Sequence, residues 1–168
     1  MTYNISERYD MQAMCQFMAR PEIYWATHDR LFPQPEQVDF TQELYHPQTA
    51  TFAATFRGQI IGYVQFMRRT SIGAEMHLAF REGFRGKIAK AMTLFALSQI
   101  FQRGMLKVWA GVPSDNRLAL LAARHIGMKQ EGTLTRAIVT NEGLRDLHIF
   151  AISKDALFGH KSGNGVAS

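Results

Sequence analysis

Cysteine is nearly missing from this chain. Cys15 is the only one in 168 residues, which excludes an intrachain disulfide and any zinc site built on cysteines. It lies among Met11, Met14, Phe17 and Met18, so a plain buried thiol and an intracellular, cytoplasmic setting are expected. No apolar run approaches the roughly 20 residues needed to cross a bilayer. The opening Met1-Thr-Tyr-Asn-Ile-Ser6 has no basic stretch followed by an apolar one. Neither a membrane span nor a secretory signal is therefore expected. A strong excess of one charge is also absent: the formal net charge is +5 and is scattered along the chain. No histidine spacing matches a ligand pattern, so no metal is expected, and His28 and His46 are read as surface residues.

What is present is enough apolar material, 46% of the residues, for a sizeable core. A chain of this length is expected to form one domain over residues 1–157, with an unstructured tail at 158–168, which is small, polar and aperiodic beyond Phe158. Thr2 to Ser6 reads as a strand, and Glu7 to Met18 as a helix capped by Ser6. Glu36 to Tyr45 reads as a short helix. Thr51 to Phe56 and Gln59 to Met67 read as a hairpin around Arg57-Gly58, with Gly62 as a possible bulge. Ala74 to Phe80 is the next strand, and Lys87 to Phe101 the longest apolar helix. After Leu106 to Val112, Ser114 and Asp115 can cap a helix whose apolar side is Leu118, Leu121, Ala122 and Ile126, and which ends at Gly127. Strands follow at Gly132 to Asn141 and Asp146 to Ser153. The pattern predicts an α+β, or mixed α/β, domain.

Two stretches carry chemistry. Arg85-Gly-Lys-Ile-Ala-Lys90 opens the long helix, where unpaired backbone N–H groups and basic side chains suit a pyrophosphate. With Arg68, Arg69 and Arg81 it forms the densest basic cluster. A cofactor phosphate is preferred there to a nucleic acid, which would call for a basic face with aromatic platforms. Glu75 and His77 share one face of the preceding strand. Glu75 has two readings: a proton acceptor, or a solvated strand residue salt-bridged to Arg68 or Arg69.

The order strand, Asn116, about three helical turns, Gly127 and Glu131-Gly132 resembles the cofactor domain of GCN5-related N-acetyltransferases. So does Ala74-Glu-Met-His-Leu-Ala-Phe80 running into Arg85-Gly-Lys-Ile-Ala-Lys90, and the likeness spans residues 50–157. Ribosomal-protein-type acetyltransferases are similar at Glu131-Gly-Thr-Leu-Thr-Arg136 and Gly143 to Phe150. Acetyltransferase-like proteins of tailed phages, some labelled head assembly proteins, share the Val-Pro-x-x-Asn…Gly…Glu-Gly arrangement.

The resemblance implies a mostly antiparallel twisted sheet flanked by helices and splayed between its fourth and fifth strands. It implies acetyl-CoA as the cofactor and direct transfer to a primary amine on a small molecule or protein, entering between residues 20–50 and 136–146. Leu78, Phe80, Arg85, Gly86, Lys87, Ile88, Ala89, Lys90 and Asn116 would hold the cofactor. Glu75, with His77 as the second choice, would accept the proton of the amine. The sequence departs from the family where Ile88 and Lys90 replace small residues and where Ala123 replaces a tyrosine acid. Lys90 either adds charge to the phosphate site or fills it; the long side chain favours blockage. A catalytically silent phage protein, with virion or head proteins as partners, is the alternative reading.

Overall fold

The computed structural model describes residues 3–159. Strands β2 (Thr49–Phe56) and β3 (Gln59–Arg68) form the expected hairpin. Arg57 and Gly58 take φ of 51° and 75°, the left-handed pair that matches the twist of a two-residue hairpin turn. Ala54 pairs with Gly62 and Thr55 with Ile60, so the extra residue is Ile61 and Gly62 lies beside the bulge. Gly62 has another reason to be glycine. A Cβ there would stand 2.2 Å from Cδ1 of Phe80, which lies across from it on β4 (Gly73–Phe80).

Among the described residues the sheet has seven strands in the order β1-β2-β3-β4-β5-β7-β6, where β1 is Tyr3–Ser6, β5 Lys107–Pro113, β6 Lys129–Thr140 and β7 Gly143–Ser153. Every pairing is antiparallel except β4 with β5. The mixed, mostly antiparallel sheet implied by the sequence is thus the one observed. Its middle strands are buried on both faces, which explains why Ile60 to Phe66 reads as a nearly continuous apolar run. One face carries Phe52, Val64, Phe66 and Met76 against helices α4 (Lys87–Gln102) and α5 (Arg117–Ile126). The other carries Ala53, Tyr63 and Ala79 against α1 (Met11–Met18), α2 (Pro21–Tyr24) and α3 (Phe40–Leu44). A last short helix, α6 (Lys154–Phe158), sets the Phe158 ring 6.3 Å from that of Phe101. Residues 160–168, most of the expected tail, lie outside the described residues.

Several helix starts differ from the sequence reading, each time because a different side chain captures the free amides. Helix α1 begins at Met11, where Asp10 accepts from the Ala13 amide at 2.7 Å. Ser6 caps nothing and instead accepts from the Arg8 amide, while Glu7 is drawn to Arg103 at 2.5 Å. The Glu36–Tyr45 segment breaks into a 3₁₀ turn, Pro35–Gln37, and α3, because Asp39 caps Thr41 at 3.0 Å. The cap of α5 is Asn116 rather than Ser114 or Asp115, with Oδ1 accepting from the Ala119 amide at 3.1 Å. Gly127 ends that helix at φ 96°, as expected.

Candidate active site

Strands β4 and β5 pair only at Gly73–Lys107, Ala74–Val108 and Glu75–Trp109, then diverge. Arg81 donates its amide to the Ile61 carbonyl on β3. Alternation along the strand therefore turns the N–H and C=O of Leu78 and Phe80 toward the gap. The gap is a groove of about 680 Å³ running from the start of α4 along α5. Leu78, Phe80, Arg85, Gly86, Lys87, Ala89, Lys90 and Asn116 all line it, whereas Ile88 packs against the core.

The first turn of α4 leaves its backbone amides free. Gly86 holds φ 77° and ψ −123°, which only glycine adopts readily, and a Cβ there would meet nothing within 4 Å. Its carbonyl accepts from the Lys90 amide at 2.9 Å, closing the first turn. The amides of Lys87, Ile88 and Ala89 are left without an intrahelical acceptor. Arg85 is pinned by Nε to the Phe80 carbonyl at 3.2 Å. Lys90 lies on the groove wall and leaves the space open.

Helix α5 forms the opposite wall. Its Leu118 and Leu121, placed by the sequence on the apolar side of the helix, are 67% and 50% exposed and line the groove. The core side is instead Ala119, Leu120, Ala123 and Ile126. The period was legible, but a groove wall and a core face carry the same apolar pattern.

Past Asn116 the groove continues into a chamber of about 280 Å³, with Leu78, Asn116, Ala119 and Ala122 lining both. Glu75 and His77 lie on its wall, Ala123 on another, and Thr27 and His28 on the side facing β4. The segment carrying His28 is clipped to β6. Asp29 accepts from the Val139 amide at 2.8 Å, and Arg30 donates its amide to the Val139 carbonyl at 3.1 Å. Strand β6 reaches that position through a bulge. Leu134 faces Leu147 and Ile138 faces Arg145, so three residues of β6 stand opposite the single Asp146, and Arg136, at φ 51°, donates its amide to Asp146 at 2.8 Å.

Glu75 is bound to Arg69 at 2.7 Å and stands 3.5 Å from His77 Nε2. The His77 imidazole, joined by the Arg69 guanidinium and opposed by burial, holds the Glu75 carboxyl down at about 2. The pairing named in one sequence reading is present, and it leaves Glu75 a feeble proton acceptor. Because its folded pKa lies below the ordinary 4.5, Glu75 stabilises the fold above pH 4.5 and loses that contribution as pH falls toward 2. Glu75→Gln should flatten the thermal midpoint against pH over that window, removing about 1–2 kcal/mol after solvent screening. An unchanged acid profile would show that the pair contributes nothing.

His28 corrects the sequence reading most. It is half-buried in the chamber, its ring stacked 4.0 Å from that of Tyr24, and burial lowers its pKa below the ordinary 6.5. Spacing gave no sign of this, because the chamber assembles around it from distant strands. Among the described residues no three His, Cys, Asp or Glu side chains gather as metal ligands, and no helix is long and apolar enough to cross a membrane.

Residues 17–128 match the family model described as the Acetyltransferase (GNAT) family. Solved structures share the fold at low identity. A mutant spermidine N-acetyltransferase from Vibrio cholerae is 14% identical with a TM-score of 0.77, covering 94% of this chain and 96% of that one. The ribosomal-protein-S18-alanine N-acetyltransferase from Escherichia coli is 15% identical with a TM-score of 0.70, covering 90% and 94%. The ribosomal-protein-S5-alanine acetyltransferase from Vibrio fischeri is 16% identical with a TM-score of 0.71, covering 91% and 93%. A search of curated proteins finds no match. With two thirds of its length matched by the family model and the splayed sheet in place, the chain belongs to the GNAT acetyltransferase family.

Proposed function

We propose that this protein is an acetyl-CoA-dependent N-acetyltransferase that passes the acetyl group directly to a primary amine. One observation carries this: a strand edge of β4 left unpaired beyond Glu75 runs along a groove from the free amides at the start of α4 to a chamber lined by Glu75, His77 and His28. The free amides of α4 with Arg85, Lys87 and Lys90 would hold the phosphates. The backbone of Leu78 and Phe80, with Asn116, would align the extended arm. When bound, acetyl-CoA supplies a thioester carbon open to attack by an amine. Glu75 keeps its negative charge in the chamber and orients His77 from 3.5 Å. Ala123 offers no acid, so the leaving sulfur takes its proton from the amine or from water.

The alternative of a silent phage head protein rests on the replaced small residues and the missing tyrosine. The open groove at Lys90 favours the enzyme, and so does the fold shared with the spermidine N-acetyltransferase and the ribosomal-protein-S5-alanine acetyltransferase. Calorimetric titration should show micromolar affinity for acetyl-CoA. At about 100 times the dissociation constant the ligand should add about 2.7 kcal/mol of stability. Absence of binding at millimolar ligand overturns the proposal. Transfer is then assayed on spermidine and on a peptide beginning with alanine.

Lys90 tests the phosphate end. Lys90→Ala should weaken CoA binding by about tenfold at low salt, with the loss shrinking as salt screens the charge. Tighter binding in this variant would mean that the side chain obstructs the phosphate, as its length suggests from sequence.

A further inference from the structure

We propose that His28 is the proton acceptor for the attacking amine, acting through Nε2. This rests on the acetyltransferase reading and names a residue for it. The ring is fixed by its surroundings. Nδ1 lies 2.9 Å from the Tyr24 carbonyl and 3.0 Å from Thr27 Oγ1. A carbonyl only accepts, so Nδ1 carries the hydrogen and the lone pair of the neutral ring falls on Nε2. Tyr24 stacks under the ring at 4.0 Å, and Phe32 meets it edge-on at 5.7 Å. Tyr24 is itself buried, with its hydroxyl bonded to the Pro33 carbonyl at 2.8 Å. The Asp29 and Arg30 bonds to Val139 hold the whole segment over the chamber.

The other titratable groups around the chamber are committed or unsuited. Glu75 on β4 is held by Arg69 and His77, and His77 is engaged with Glu75. Asp115 accepts from Thr140 at 2.6 Å and stands 3.7 Å from Arg145. Arg30 lies over the Trp25 ring at 4.5 Å. Tyr63 on β3 is buried, with its pKa pushed well above the ordinary 10. Burial, helped by His77, pushes the His28 pKa down and outweighs the upward pull of the Tyr24 carbonyl and of Glu43 on α3, so the ring is neutral at pH 7.

The step balances simply. The ammonium gives one proton to Nε2, and the freed nitrogen lone pair forms the C–N bond to the thioester carbon. The C–S bond breaks, and the sulfur takes the second proton, leaving amide, thiol and an imidazolium that returns its proton to water.

The ring itself is read first, in the protein without acyl-CoA. Nitrogen NMR of His28 should show Nδ1 protonated and Nε2 bare at pH 7, with titration below 6.5. A charged ring or the opposite tautomer at pH 7 overturns the assignment. In turnover, His28→Gln should lower kcat about a hundredfold and leave CoA affinity unchanged. The acidic limb of the wild-type rate profile should vanish in the variant, and added imidazole should restore part of the rate. A wild-type rate, or a surviving limb, overturns the assignment. If the wild type binds CoA yet acetylates neither amine, the enzyme reading fails together with this one; an active wild type with the wrong ring state sinks this one alone.

Discussion

Ala122→Trp is expected to abolish CoA binding while leaving the fold intact. Ala122 lies where the groove meets the chamber and lines both. It stands on the half-exposed side of α5, outside the buried core. An indole there projects across the junction that an extended ligand must pass. Against a micromolar wild-type affinity, the loss should exceed about a thousandfold, near 4 kcal/mol. Stability should change by no more than about 0.5 kcal/mol, because the site is not packed on the core. Calorimetry with CoA and a thermal melt check the two halves separately. Retained affinity in a well-folded variant would place the ligand somewhere other than along α5.

The largest effect on stability is expected at Gly62, where alanine should cost about 3 kcal/mol or more. The added methyl would sit 2.2 Å from Cδ1 and 2.6 Å from Cγ of Phe80. That ring is only 4% exposed and part of the main core, so it cannot swing aside. Phe80 also presents its carbonyl to Arg85, so a displaced ring would disturb the turn that opens α4 as well. Chemical denaturation measures the cost. Phe80→Leu in the same chain should recover a part of it, and the coupling in this double-mutant cycle is the sharper test. Strictly additive costs would mean that the two residues do not meet.

Both predictions concern positions whose role the sequence shows unevenly. The long strands, α4 and α5 were legible because each satisfies a local period and ends at a residue with a local reason, such as Gly127 at φ 96°. Leu78, Phe80, Arg85, Gly86, Lys87, Ala89, Lys90 and Asn116, which line the groove, were singled out through the family likeness, which also named Ile88, a residue turned to the core. Other features were hidden because their causes are far away in the chain. Asp29 reaches Val139 across 110 residues, and Glu7 reaches Arg103 across 96. No window along the sequence contains either pair. The same holds for the bulge at Arg136, which depends on the Asp146 carboxylate of the neighbouring strand. His28 looked like a surface residue because its surroundings are a carbonyl, an aromatic face and two distant strands.

The parting of β4 from β5 leaves a sheet edge inside the molecule rather than at its border. Sheet edges invite other strands to add to them and are ordinarily blunted with charge, proline or short length. Under the proposed function those remedies are closed off, since the cofactor arm would bond to the same backbone groups. Access is controlled by shape instead. Helix α5 stands on one side, and the segment clipped to Val139 stands over the inner end. A narrow, one-sided slot of this kind suits the thin, flexible arm of the proposed cofactor better than a second polypeptide strand, so the walls that would choose the ligand would also guard the edge against aggregation.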